Sequence, residues 1–171
     1  MHTALRPFAN QGVSLIGLMT LGAQPVLTGA IAHGWSDLLA RSQRHKAWRL
    51  LAHVTLTEHA HLVVVPPKHM TLDQVVWGLL DDFQAAYCEL LGMPSSMAQV
   101  WQRSYQVHHA GKPEDMARFL DYVHYNPVRH GVAARPEAWP HSSYSQWVDA
   151  GVYKLGWGWT EPTSIQGKNW E

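Results

Sequence analysis

The chain predicts an α+β sandwich, with helices on one face of a largely antiparallel sheet. Three observations carry this. Strand-like and helix-period segments follow one another in the order strand, helix, strands, helix, strand, helix. The strands are short and bounded by proline and glycine. At 171 residues, with no repeat and no low-complexity tract, the chain fits one domain over 1–171, whose last stretch, 155–171, is expected as a flexible tail.

Each element has a local reason. Residues 13–20 alternate as a buried first strand, and Pro25 follows as a turn. In 27–46, Ile31, Trp35, Leu38 and Leu39 recur at i, i+4, i+7 and i+8, the apolar stripe of a helix. Residues 48–56 and 59–65 are strand-like, and Thr57-Glu58 between them is a poor hairpin dipeptide. They are read either as one long strand or as a tight pair. Pro66-Pro67 stops the second run, because proline cannot donate to a central ladder. In 71–91, Leu72, Val75, Val76, Leu79, Leu80, Phe83 and Tyr87 repeat at helical spacing, and Gly92 supplies the stop. Residues 101–108 form a further strand.

Gly111-Lys112-Pro113-Glu114-Asp115 then opens a helix, with proline early and two acids in the first turn. Met116, Phe119, Leu120 and Val123 make its buried stripe. Asn126-Pro127 is expected to break it, and Gly131 closes the turn that follows. The remainder, rich in Trp, Pro, Ser and Gly, reads as loops packed on the body.

Composition bounds the function. The single cysteine, Cys88, excludes a disulfide framework and a cysteine-based zinc site, and it fits a reducing cytoplasm. The most apolar early stretch, 13–27, is interrupted by Gln24 and Pro25, short of the ~20 residues a membrane span needs. Arg6 ahead of it leaves a secretory signal conceivable; the reading taken is a buried strand and no membrane partner. Thirteen basic and 13 acidic residues give zero net charge, which argues against nucleic-acid binding through bulk positive charge. Arg41, Arg44, Lys46 and Arg49 form the one concentrated basic cluster. They are read either as cations at a helix C-terminus or as a ligand site.

Two constellations can carry chemistry. His59-Ala60-His61 on a strand places both imidazoles on one face, about 6–7 Å apart, where they can share an ion. With 12 histidines in 171 positions, however, chance alone supplies about one such pair. On the helix after Pro113, Arg118, Tyr122 and Asn126 stack at i+4 steps. A phenol is a weak nucleophile unless a cation draws charge from its target; the plain alternative is a tyrosine that buries its ring and hydrogen-bonds its hydroxyl. Arg118 one turn earlier either clamps a phosphate or pairs with Glu114 or Asp115.

The text around Tyr122 resembles a known signature. Asp121-Tyr122-Val123-His124-Tyr125-Asn126-Pro127-Val128-Arg129-His130-Gly131 is similar to that of the REP-associated tyrosine transposases, of the HUH class of single-strand DNA transposases. The resemblance continues through 135–140, Ser142-Ser143-Tyr144, 151–153 and Trp157. Upstream, Val100-Trp101-Gln102-Arg103-Ser104-Tyr105 and His59-Ala60-His61 fall where that family has its corresponding motifs. About 48–157 is covered.

The resemblance implies a ferredoxin-like fold of four antiparallel strands. It implies a divalent ion, Mg²⁺ or Mn²⁺, held by His59, His61 and Asn126. It also implies attack by Tyr122 on DNA, giving a covalent 5′-phosphotyrosine and a free 3′ hydroxyl, and rejoining at hairpins or palindromic repeats. The expected partner is single-stranded DNA, contacted by Arg41, Arg44, Lys46, Arg49, Arg103 and Arg129, with the protein a monomer or homodimer. Asn126 has a second reading, as N-cap of the turn after it. Leu56-Thr57-Glu58 replaces the methionine–proline–asparagine common before the histidines, and Asp81-Asp82 stands where lysines are frequent. These departures leave open a catalytically weakened or domesticated DNA-binding protein of the same fold.

Overall fold

The structure is a computed structural model that describes residues 12–46, 48–94 and 99–171, apart from the side chains of 43–46. Arg6 and the side chains of Arg44 and Lys46 therefore lie outside the described residues. Four strands, β1 (Ser14–Thr20), β2 (Arg49–Thr55), β3 (His59–Val65) and β4 (Trp101–His109), form one sheet in the order β2-β3-β1-β4. All three pairings are antiparallel. Helices α1 (Gly29–Lys46), α2 (Leu72–Leu90), α3 (Pro113–Arg129) and α4 (Tyr144–Asp149) complete the α+β fold.

Both strand runs after α1 are separate strands. The amide of Leu56 donates to the carbonyl of His59 at 2.8 Å, so Thr57-Glu58 is a two-residue hairpin loop. Strand β3 is buried along its whole length, and its side chains divide between two cores. Ala60, Leu62 and Val64 meet Trp35, Leu39, Val76, Leu79 and Phe83 of α1 and α2. Val63 and Val65 meet Met116, Phe119, Leu120 and Val123 of α3. Two long helices thus share one face, as the alternation suggests, and α3 closes the other. A strand apolar on both faces is the sequence correlate of a sheet covered on both sides.

Helix α2 opens on a reciprocal cap: Thr71 Oγ1 accepts from Gln74 N at 3.2 Å, and Gln74 Oε1 accepts from Thr71 N at 2.8 Å. Asp115 closes the start of α3, its carboxylate accepting from the amides of Gly111 and Lys112 at 3.1 Å.

The expected break at Asn126-Pro127 does not occur, and α3 runs through to Arg129. Proline removes one amide and crowds the preceding turn. The last turn is nonetheless held by His130 N to Asn126 O at 3.0 Å and by burial of Pro127. Asn126 is therefore a helical residue and not the cap of a new turn. Gly131, at φ 67°, ends the helix in the left-handed region, as the sequence indicates.

The segment after α3 covers the free edge of β2: Thr55 N donates to His141 O, and Ser143 N to His53 O, both at 2.9 Å. His124, fully buried in α3, ties this segment down, its two ring nitrogens 2.9 Å from Tyr153 Oη and Ser143 Oγ. Residues 155–171 lie along α3, with Ile165 in the core, which is not the arrangement of a loose tail.

Burial drives the pKa of His124 down to about 3 and that of His53 to about 4, with His53 and His141, respectively, adding repulsion. Both folded values lie below the ordinary 6.5, so the stabilising contribution is complete above pH 6.5 and is lost as pH falls toward 4. The slope is about 1.4 kcal/mol per pH unit for each group. Urea midpoints should fall steeply between pH 6.5 and 4.5, and less steeply in His124→Gln.

Candidate active site

Strand β3 and helix α3 build the site together. At its first two outward positions on the α3 side, β3 presents His59 and His61, 3% and 1% exposed, with ring centroids 5.2 Å apart. Helix α3 places Tyr122 and Asn126 over them, one turn apart and equally buried, rather than on a solvent-facing side. The Tyr122 ring meets the His61 ring at 5.3 Å, and Asn126 Oδ1 lies 3.2 Å from His59 Nε2. The four residues thus converge on one point.

The residue at that point is Glu171. Its carboxylate accepts from the Tyr122 hydroxyl at 2.6 Å and lies 3.5 Å from His61 Nε2, 3.8 Å from His59 Nε2 and 3.2 Å from His130 Nε2. Asn126 Nδ2 is 3.4 Å away. Trp170 packs on Tyr122 and Phe119, and its amide donates to the Tyr122 oxygen at 3.2 Å. Burial would raise the Glu171 pKa, but hydrogen bonds from His130 and Tyr122, with the His61 ring beside it, override this and hold the carboxylate far below its usual range. Burial also pushes the Tyr122 phenol well above 10, and Glu171 adds to the shift.

The donor set fits a metal ion. His59, His61 and Glu171 each offer a ligand atom, all within 4.8 Å of one another, and both His61 nitrogens are buried without a hydrogen bond. Burial pushes the His61 pKa down, so its ring stays neutral and able to ligate. His59 Nδ1 lies 3.1 Å from Glu58 Oε1, and Glu58 also takes the hydroxyl of Thr57. If His59 gives its Nδ1–H to Glu58 and is otherwise unprotonated, the lone pair of Nε2 is left facing another acceptor, Asn126 Oδ1. A cation between them resolves that opposition. The departure Leu56-Thr57-Glu58 therefore supplies a carboxylate at Nδ1 of a histidine that could ligate a metal.

The arginines divide. Arg118 pairs with Asp115 at 3.2 Å and is more than a third exposed, which is the plain alternative. Arg129 is the guanidinium at Tyr122, with Cζ 5.0 Å from the ring centroid. It donates to Lys168 O at 2.6 Å and pairs with Glu161 at 2.9 Å. Its position, i+7 from Tyr122 and so on the same helical stripe, was available as a signal. Arg49 is exposed and pairs in register with Val65, at the end of β3 remote from His59, about 20 Å along the strand. Arg41 is exposed on α1, across the sheet from Tyr122, as is Asp81-Asp82 on α2. Arg103 is exposed on β4; its neighbours Gln102 and Ser104 line the groove beside the histidines, and Arg103 does not. Glu171 and Trp170 had no sequence signal, since nothing local ties 170–171 to α3; His130 lies within the quoted signature but was given no role.

The sheet and its helices have the fold of solved transposase structures. A REP-associated tyrosine transposase bound to a REP hairpin superposes with a TM-score of 0.74 at 20% identity, over 91% of this chain and 92% of that one. A protein described as a transposase from Deinococcus radiodurans gives 0.51 at 18% identity, over 65% of this chain and 87% of that one. In sequence, a REP-associated tyrosine transposase of Escherichia coli is 25% identical over 122 residues, 70% of this chain and 68% of that protein. A protein assigned the same role in Haemophilus influenzae is 38% identical over 68 residues, 40% of this chain and 39% of that protein. No family model matches. In sequence and in fold the chain is similar to REP-associated tyrosine transposases.

Proposed function

We propose that the protein is a metal-dependent single-strand DNA transposase that nicks and rejoins DNA at hairpin or palindromic repeats through Tyr122. The observation that carries this is the convergence of the Tyr122 hydroxyl with His59, His61 and Asn126 at the position now taken by a carboxylate. A carboxylate bound by imidazoles and a phenol stands where a phosphate oxygen would be received.

In this reading His59, His61 and Asn126 hold the ion, and Glu58 fixes the His59 tautomer. A divalent ion bound there supplies polarisation of the phosphate and stabilises charge on the leaving 3′ oxygen. Tyr122 Oη forms a bond to phosphorus as the P–O3′ bond breaks; the phenol proton passes to solvent water, and the 3′ oxygen takes one up from solvent water to become a hydroxyl. Arg129 over the ring favours the phenolate. Attack by a 3′ hydroxyl reverses the step, so rejoining needs no external energy source.

The polarity is directly testable. Hairpin oligonucleotides labelled at either end are incubated with protein and Mn²⁺ or Mg²⁺ and run on a denaturing gel. The strand 3′ of the nick should migrate with protein; protein-linked label on the 5′ strand overturns the scheme. Glu58→Ala should weaken Mn²⁺ binding by about 10- to 100-fold in calorimetry, with the fold intact.

One observation favours a second reading, a DNA-binding protein without catalysis: Glu171 holds the proton on Tyr122. That reading expects hairpin binding with no adduct. Among the described residues no helix is long and apolar enough to cross a membrane.

A further inference from the structure

Helix α3 packs chiefly on β2 and β3; on β1 the α3-side core covers Leu15, and beyond it Gly17 and Met19 are left partly exposed beside the histidines. The opening is a groove of about 400 Å³, walled by Gly17, Met19, Gln102, Ser104 and Gln106 and bounded at one end by His61 and Glu171. We propose that this groove is a nucleobase subsite, receiving the base next to the scissile phosphate and reading it chiefly through the amide of Gln106. This rests on the reading of Tyr122 as the residue that meets the phosphate.

Three features point to a base. The groove adjoins the point where Tyr122 and the histidine pair converge, so a nucleotide with its phosphate there has its base within reach of Gly17 and Gln106. Its β1 and β4 walls carry amide, hydroxyl and thioether groups and no lysine or arginine, so they suit a neutral planar ring rather than a phosphate. The volume is within the range of small-molecule sites.

Two details make it a reading site. The Gln106 side chain is exposed and has no hydrogen bond within the described chain, so its donor and acceptor are both available. Gln102, by contrast, spends its Nε2 on Thr20 O at 3.2 Å. An unspent glutamine amide presents adjacent donor and acceptor groups, the pattern that pairs bidentately with adenine. Gly17, paired with both His61 and Gln106, leaves the floor bare. A Cβ there would lie 3.5 Å from the His61 ring and 3.6 Å from Gln106 Cβ, an ordinary contact that folds without strain yet takes up the space of the base. Gly17→Val should therefore fill the floor.

The test is selection from hairpin oligonucleotides with randomised single-stranded flanks, in the presence of Mn²⁺. The bound fraction and the covalently linked fraction are sequenced separately for wild type, Gln106→Ala and Gly17→Val. Wild type should enrich one base, adenine foremost, at a single position flanking the nick. Both variants should flatten that preference about tenfold while preferences elsewhere persist. A preference unchanged in both variants, or none in wild type, overturns the subsite. A Gln106-dependent preference in the bound fraction without any adduct upholds the subsite and sinks the catalytic reading. No binding and no adduct overturns both.

Discussion

Tyr122→Phe is expected to abolish the covalent protein–DNA adduct, lowering its rate of formation by roughly 10³-fold or more, because it deletes the attacking atom and little else. The ring stays seated against His61, Trp170 and Arg129. Lost are the hydroxyl's charge-assisted bond to Glu171, about 1.5–3 kcal/mol, and its bond to the Trp170 amide, about 1 kcal/mol. Hairpin binding should therefore survive where chemistry does not. Denaturing gels give one quantity and equilibrium binding the other. Turnover that persists in Tyr122→Phe would point to hydrolysis through the histidines without a tyrosine nucleophile.

Glu171→Ala should act in the opposite direction. The carboxylate occupies the ground that a phosphate oxygen needs, and it keeps the proton on Tyr122. It is also a poor base there: its own pKa is held far down while that of the phenol is held up. Displacing a charge-assisted hydrogen bond costs about 1.5–3 kcal/mol, so removing it should raise adduct formation about 10- to 100-fold at subsaturating DNA. Glu171→Gln should fall between. Initial rates at fixed Mn²⁺, with calorimetric metal affinity alongside, check this. A fall in both rate and metal affinity would instead make Glu171 a ligand of the ion.

The sequence made the elements legible where local chemistry decides them. Thr71 and Gln74 cap α2 reciprocally, the acids after Pro113 open α3, and Gly131 closes it. It placed the helices mainly on one face and did not single out α3 for the other, because amphipathic spacing defines a buried stripe without saying what covers it. At Asn126-Pro127 the local rule was outweighed by packing, since Pro127 is buried and the turn beyond it is held by Asn126 O.

In the site, His59, His61, Tyr122 and Asn126 converge. Arg118 does not reach Tyr122, because Asp115 lies one turn away on its own helix and holds it. Glu171 was illegible because its contacts join positions 45 and 49 residues apart, which no local pattern records. Glu58, a departure from the family pattern, acquires a role only once the hairpin brings its carboxylate to His59 Nδ1.

The most direct measurement is the position of the DNA–protein bond. Adduct formed on a hairpin with Mn²⁺ is digested with trypsin and nuclease, and the nucleotide-bearing peptide is sequenced by mass spectrometry. Cleavage at Arg118 and Arg129 releases a peptide holding both Tyr122 and Tyr125, so fragmentation must separate them. The account predicts a 5′-phosphonucleotide on Tyr122. A nucleotide on Tyr125 or elsewhere, or cleaved DNA with no linked peptide, would contradict it.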